Sequence, residues 1–320
     1  MIQKARSIKI QNVSATRRSE IWYGDGSVVL QARGTQFRVY WGILAQQSSF
    51  FRDMQSLPQP SDQPSVDGCP VIELHDDVAD VEYLLKALFV PTFLAQAALP
   101  LPAIGALVRL GRKYDFCDLL DSAVARLTFE NPTTIEKLDA LVINGKPYPH
   151  IPTRIVRYMG WMMDVITLAR ENNILSVLPC AYYRAVVHYT PLFDGVPRGD
   201  GTMAILAPED QRQCMLARDR LMKARFQPGY SYGWLRKWEY DISECADPAS
   251  CAEARSARLH FYIDCVPLWM LNRNPLDQRV WCSTCYHHVT ESTLTGRKKL
   301  WEDLPKFFDL PPWNELKNDL

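Results

Sequence analysis

The spacing of the apolar residues changes abruptly near the start of the chain. Residues 27–40 alternate with a period of two around Arg33-Gly34, which predicts a β-hairpin with glycine in its turn. Residues 42–54 then follow a helical period, which predicts a helix with one apolar face. The residues expected on that face are Ile43, Phe50 and Met54. A hairpin that leads directly into helical sequence indicates a mixed α+β unit.

The same unit is predicted to extend to about residue 130. Val71–Leu74 forms a further short strand, and Asp76-Asp77 supplies a cap for the helix after it. Pro102 begins another helix, and a last one ends near Asn131-Pro132. Apolar residues recur at helical spacing in all three helices: Val81, Leu84, Leu85 and Leu88; Ile104, Leu107 and Val108, with Gly111; and Leu120, Ala123, Val124 and Leu127.

The length and amino-acid composition of the chain restrict the classes of protein to which it can belong. A chain of 320 residues corresponds to about two domains, and its 47% apolar and 22% charged residues are ordinary globular values that argue against wholesale disorder. The 36 basic and 36 acidic side chains cancel, whereas a nucleic-acid-binding protein usually carries a basic surplus, so no direct nucleic-acid contact is expected. Nine cysteines, an odd number in a large chain, favour a reducing compartment, which predicts a cytoplasmic or nuclear location.

Neither a secretory signal nor a membrane span is predicted. Residues 1–19 are basic and lack an apolar core, which favours a flexible tail, with a mitochondrial presequence as the alternative. Ala87–Val108 carries no charge over 22 residues, which is long enough for a span. Three prolines interrupt it, at Pro91, Pro100 and Pro102, so a helix end, a loop and a new helix start are expected instead.

The order of these segments resembles a BTB/POZ domain. The family opens with an Asp-led strand, here at Asp25, and the segment that follows matches its pattern at Phe37, Leu44, Ser48 and Phe51. Tyr40 stands in the place of the family's usual histidine, a departure that affects local packing. Later segments also resemble the family: Val71–Leu74 with Asp80–Phe89, and the helix pair that carries Leu107, Leu110, Tyr114 and Leu119. The residues of the motif are also similar to those in the large group of BTB proteins found in mushroom-forming fungi.

The resemblance covers about a third of the chain, residues 20–130, and implies a protein-interaction domain rather than an enzyme. It implies self-association, typically as a homodimer, or capture of a partner, with two roles open. One is an adaptor that binds a cullin in a ubiquitin ligase, and the other is a dimeric scaffold in nuclear or transcriptional control. Trp22, Trp41 and Phe50 are the candidate interface residues, since aromatic side chains are enriched at binding hot spots, although the two tryptophans could equally be core.

Residues 131–320 resemble no known enzyme and are predicted to be mainly helical. One helix is expected to carry Ile155, Met159, Met162 and Ile166 on a single face. A second runs from Pro208 to Phe226, with acids first and bases later, as the helix dipole prefers. A third covers Thr284 to Leu304. No kelch, ankyrin or other internal repeat is evident.

Five of the nine cysteines are concentrated between Cys245 and Cys285. Cys282-x2-Cys285 places two thiols on one turn, and Cys245-x5-Cys251 offers a second, wider pair. Zinc prefers four such ligands in a tetrahedron, which predicts a structural four-cysteine site in the C-terminal domain. Substitute ligands are Cys265, His260, His287 and His288. Ordinary buried thiols and a redox Cys-x-x-Cys pair remain open as alternatives.

A different functional class is suggested by Gly229–Gly233, which spells the G-x-S-x-G pattern of serine hydrolases around Ser231. That chemistry needs a buried strand before the serine, whereas the preceding residues are charged and helical, and Pro228 abuts the pattern. A Gly/Tyr loop is the favoured interpretation. The isolated histidines, His75, His150 and His188, are expected to be surface or hydrogen-bonded residues rather than ligands or bases.

Overall fold

The computed structural model describes residues 16–58, 62–141, 150–187, 191–238, 240–264, 268, 270–271 and 276–320. The chain divides into two compact units. The first comprises the described residues of Met1–Gln96 and Pro102–Ser122, and the second those of Ala97–Leu101 and Ala123–Leu320. The fold is mixed α+β, with a small N-terminal sheet and many helices, as the sequence predicts.

The first unit is built on a five-stranded sheet. Its strands are β1 (Arg17–Trp22), β2 (Val28–Ala32), β3 (Thr35–Val39), β4 (Ser65–Val66) and β5 (Cys69–Leu74), in the spatial order β1-β3-β2-β5-β4. The predicted hairpin is confirmed as the antiparallel pair β2–β3, with Arg33 and Gly34 in its turn at positive φ. β5 pairs with β2 in parallel, and β1 pairs with β3 in parallel. The predicted flexible tail of residues 1–19 overlaps β1, which begins at Arg17, so the predicted end of the tail is about three residues too late. Residues 1–15 lie outside the described part of the chain.

The first unit contains α1 (Trp41–Gln47), α2 (Ser49–Ser56), α3 (Val78–Phe89) and α4 (Pro91–Leu94), all but the first residue of α5 (Leu101–Lys113), and α6 (Cys117–Glu130) as far as Ser122. Asp77 caps α3 by accepting a hydrogen bond from the Ala79 N–H, as predicted. The proline-interrupted stretch is split into α3, α4 and α5, also as predicted. Over the described ranges, no helix is both long and apolar enough to cross a membrane.

One predicted helix face is wrong. Ser48 is extended, with φ −141° and ψ 126°, and divides the expected helix into α1 and α2. Its hydroxyl accepts from the Phe51 N–H at 3.1 Å and donates to the Tyr114 carbonyl at 2.5 Å. The break changes the helical phase, so Phe51 is fully buried whereas Ile43 and Phe50 are 36% and 39% exposed.

The second unit is mainly helical. Its elements are α7 (Ile135–Ala140), α8 (Trp161–Glu171), α9 (Leu178–Val187), α10 (Pro191–Asp194), the short hairpin β6 (Val196–Pro197) and β7 (Met203–Ala204), α11 (Pro208–Ala224), α12 (Gly233–Arg236), α13 (Pro248–Asp264), α14 (Ser283–Glu302) and α15 (Leu304–Phe307). The predicted helices at 208–226 and 284–304 are confirmed as α11 and α14, each ending about two residues early.

The helix predicted to carry Ile155 and Met159 is wrong at its start. Gly160 has a φ of +86° and serves as the N-cap of α8, so the helix begins only at Trp161. Ile155 instead forms an isolated bridge with Leu99 and is fully buried, and Met159 is 65% exposed. An alanine Cβ at Gly160 would lie 2.4 Å from the Ala204 Cβ, so glycine is required there for space as well as for φ.

Candidate metal centre

Two helix starts in the second unit bring four cysteines together. Cys251 lies in the first turn of α13, where its N–H donates to the Asp247 carbonyl, and Cys245 precedes that helix in a turn closed on Ile242. Cys282 is the N-cap of α14, and Cys285 lies in its first turn. Each pair therefore combines one thiol before a helix with one on its first turn.

The four sulfur atoms have the spacing of a metal site. All lie within 4.8 Å of one another, and the Sγ atoms of Cys245 and Cys282 are 3.8 Å apart. Four Zn–S bonds of about 2.3 Å in a tetrahedron place the sulfurs about 3.8 Å from one another. The cluster that the sequence predicts, Cys245, Cys251, Cys282 and Cys285, is thus present at a distance compatible with zinc.

Backbone N–H groups point at two of these sulfurs. The Cys282 N–H donates to Cys251 Sγ at 3.3 Å, and the Cys285 N–H donates to Cys282 Sγ at 3.4 Å. The latter bond is the main reason that the pKa of Cys282 falls to about 6, which favours the thiolate form that binds metals. Burial raises the pKa of Cys251, and raises that of Cys285 to about 12. A bound cation would favour the ionised form of these two buried thiols together with that of Cys282.

Aromatic side chains form a cluster that includes Tyr240, beside Cys285, and Trp281, next to Cys282 in the chain. The Tyr240 ring stacks on His288 with centroids 4.3 Å apart, and burial and the Cys285 thiol raise the Tyr240 pKa. Trp281, 7% exposed, meets Trp234 edge-to-face at 5.6 Å. Arg255 lies over the Trp238 ring at 4.5 Å. Cys251 and Cys285 are each 1% exposed, so solvent access to these two ligands is limited.

The substitute histidines stay outside the cluster. His260 is exposed on α13, and His287 faces Glu291 at 3.6 Å with most of its side chain in solvent. His288 is engaged by Tyr240, and Cys265 lies outside the described residues. A redox Cys-x-x-Cys pair needs two thiols, whereas this structure assembles four, which favours metal binding over the redox alternative.

Ser231 does not occupy the position of a hydrolase nucleophile. The element before it is helix α11 rather than a strand, and its side chain is fully buried, with Oγ donating to the Met270 carbonyl at 3.0 Å. Helix α14 passes directly over this turn at Gly296, where a Cβ would lie 2.3 Å from Tyr230 C and 2.4 Å from Ser231 N. This close packing explains the glycine at position 296, and Gly229 has a φ of +78°, which favours glycine.

The three candidate interface residues differ in exposure. Trp41 is 7% exposed and its indole N–H donates to the Phe51 carbonyl at 3.2 Å, so of the two interpretations left open for it, the structure shows the core one. Trp22 is half-buried on β1, with the Arg18 guanidinium 4.4 Å from its ring. Phe50 keeps an exposed ring that packs edge-on against Phe51.

Sequence reasoning missed a buried acid in the second unit. Glu130 is fully buried and accepts hydrogen bonds from the N–H groups of Thr153 and Arg154 at 2.7 and 2.6 Å. His150, described above as isolated, contacts the same carboxylate through Nε2 at 2.6 Å. The two residues are 20 positions apart with no motif between them, so only the fold shows that they meet.

We expect this pair to make the second unit sensitive to acid. Burial lowers the pKa of His150, and the hydrogen bonds from His150, Arg154 and Thr153 hold the pKa of Glu130 below its usual value despite burial. Both groups bind protons more readily when unfolded, so the free energy of unfolding should fall as pH drops below about 6.5 and again below about 4.5. Chemical denaturation between pH 8 and pH 4 measures this. His150→Gln should remove the upper part of the slope, and an unchanged slope would contradict the assignment.

Compared with known proteins, the chain matches no family model and no curated protein.

Proposed function

We propose that this chain is a non-enzymatic protein-interaction protein whose second unit is held by a structural zinc. The observation that carries the zinc part is the convergence of four thiols from two helix starts. Cys245, Cys251, Cys282 and Cys285 would hold the ion, leaving no open position for substrate, which is the arrangement of structural rather than catalytic zinc. The ion would tie the start of α13 to the start of α14.

The interaction part of the proposal rests on the first unit. A BTB/POZ-like identity is supported by the order of elements, a hairpin followed by α1 and α2, then β5 with α3, then α5 and α6. The matched residues Phe37, Leu44, Ser48 and Phe51 are all buried, as a framework pattern requires. Tyr40, at the usual histidine, donates a hydrogen bond to Asp25 at 2.5 Å. A Cβ added at Gly111 would lie only 3.1 Å from the Leu120 Cβ, as expected for a tightly packed pair of helices.

Self-association is the activity we assign to this unit, with cullin binding as the further role to be tested. Native mass spectrometry of the full chain in a non-chelating buffer measures subunit number and bound metal together. We expect a dimer with one zinc per chain. A monomer would contradict the assembly, and a metal-free chain would contradict the zinc, so the two parts fail separately. Co-purification with a cullin would then distinguish an adaptor from a dimeric scaffold.

Phe50→Glu is expected to weaken the dimer at least about tenfold, because a charge would replace an exposed aromatic side chain of the kind that forms hot spots. Sedimentation velocity across a concentration series measures the change in dimer Kd. Leu57→Glu, at the end of α2, is the matched control: Leu57 is 61% exposed and the substitution adds the same charge. Equal effects of both substitutions would show that charge alone, not the Phe50 contact, is responsible.

A further inference from the structure

The second unit contains a cavity of about 210 Å³ that the zinc site and the interaction unit do not use. It lies where the start of α8, the end of α9 and the segment from α10 to β6 come together. Its wall is mainly apolar, formed by Trp161, Met162, Met163, Leu192 and Val196. Concave apolar sites with a few convergent polar groups are the usual form of small-molecule sites, and methionines adapt such walls to irregular shapes.

One charged group is buried in this wall. Arg184 is only 6% exposed, and its Nη1 donates to the Glu130 carbonyl at 2.5 Å and to Asn131 Oδ1 at 3.2 Å. Both acceptors are neutral, and Arg184 forms no salt bridge with any residue in the described ranges. A buried guanidinium is normally paired with an anion, and the described residues offer Arg184 none, so a bound negative charge would be stabilised at this wall.

The neighbouring acids are already engaged. Asp164 forms a two-point ion pair with Arg198 and accepts from the Tyr158 hydroxyl at 2.7 Å. The Glu130 carboxylate accepts from His150 and from two backbone N–H groups. Neither carboxylate is free to serve as the counter-charge inside the cavity.

Two further features add positive potential. Arg157 also lines the cavity, and α8 begins there at Gly160, which has no side chain to cap the helix. The first turn of an α-helix carries a partial positive charge and favours anions. A buried cation, a second arginine and a helix start therefore face one apolar space.

We propose that this cavity binds a small organic carboxylate with an apolar tail, its carboxylate at Arg184 and its tail against Trp161 and the methionines. At the packing density of about 0.75 found in protein interiors, the volume holds about ten non-hydrogen atoms, the size of a medium-chain acid. Planar bidentate pairing with a carboxylate suits a guanidinium better than it suits an ammonium group. The ligand would complete the charge balance of the wall and fill the apolar space in one step.

Calorimetric titration of the full chain with octanoate tests the proposal, with octan-1-ol as the neutral match and butyrate as the short acid. We expect one octanoate per chain, bound at least tenfold more tightly than octan-1-ol or butyrate. Ala185→Leu, which adds bulk at the cavity wall while keeping a good helix former, should abolish octanoate binding without lowering the thermal midpoint. Arg184→Met should remove the preference for octanoate over octan-1-ol.

Three results would overturn the proposal. If octanoate does not bind at millimolar concentration, the cavity is not a carboxylate site. If octan-1-ol binds as tightly as octanoate, Arg184 does not recognise the ligand. Binding that survives in a folded Ala185→Leu protein places the ligand elsewhere. The comparison of the two ligands and the Ala185→Leu variant keep the test decisive even if Arg184→Met does not fold.

Discussion

Cys285→Ser is expected to release the metal and to unfold much of the second unit. Cys285 is 1% exposed, and a serine hydroxyl there cannot replace a thiolate ligand. Structural zinc contributes about 10–16 kcal/mol of apparent binding free energy in small domains, so we expect a loss of at least about 5 kcal/mol. At about 2–4 °C per kcal/mol for a unit of this size, the thermal midpoint should fall by more than about 10 °C. A chelator should lower the midpoint of the unsubstituted chain to a similar extent.

Elemental analysis and calorimetric melting of the purified chain provide the measurement. Cys117→Ser is the matched control, because Cys117 belongs to the first unit and is exposed, with its thiol donating to Asp115 at 3.1 Å. The control should keep one zinc per chain and its full stability. If Cys285→Ser also keeps both, or if a chelator leaves the midpoint unchanged, the four thiols are ordinary cysteines and the zinc proposal fails.

Gly296→Ala is expected to destabilise the second unit by about 3 kcal/mol or more. In an exposed helix the same substitution usually stabilises by up to about 1 kcal/mol, so the sign is reversed here. The reason is backbone contact: the new methyl group would lie 2.3 Å from Tyr230 C and 2.6 Å from the Tyr230 carbonyl oxygen. Backbone cannot rotate away as a side chain can, so α14 or the Tyr230–Ser231 turn must move, and overpacking of this kind costs about 1–3 kcal/mol or more.

Urea denaturation monitored by tryptophan fluorescence measures the loss at Gly296. Gly199→Ala is the control, since no atom lies within 4 Å of the methyl group that it would add. That variant should lie within about 0.5 kcal/mol of the parent, as most surface substitutions do. If the Gly296→Ala protein is as stable as the parent, the backbone of α14 at Gly296 is not in close contact with the Tyr230–Ser231 turn.

The elements that sequence predicts well are those fixed by local chemistry. The hairpin follows from Arg33-Gly34, the start of α3 from the Asp77 cap, and α11 from Pro208 with two acids behind it. The predicted helix phase around Ser48 is wrong, because the tertiary hydrogen bond from Ser48 to the Tyr114 carbonyl competes with continuation of the helix. No pattern in residues 42–54 reveals that partner, which lies 66 positions later.

The same distinction applies to the sites. Four cysteines in two spaced pairs are a signal that can be recognised in the sequence, and the structure brings the predicted four together. The cavity at Arg184 carries no such signal. An arginine inside the apolar helix α9 has the spacing of a core residue, and its role depends on which residues of α8 and α10 meet it. Convergence of that kind is set by packing, which residue spacing does not encode.

The crossing of α14 over the Gly229–Gly233 turn has a consequence for how this pentapeptide can vary. Gly229 is constrained by its φ of +78°, and Ser231 by its full burial at the turn that Gly296 of α14 contacts. A bulky residue at position 231 should therefore be rejected even if it is chemically inert, whereas alanine should cost only the hydrogen bond from Ser231 Oγ to the Met270 carbonyl. In this chain, an apparent catalytic signature reflects the backbone conformation at Gly229 and the burial of Ser231.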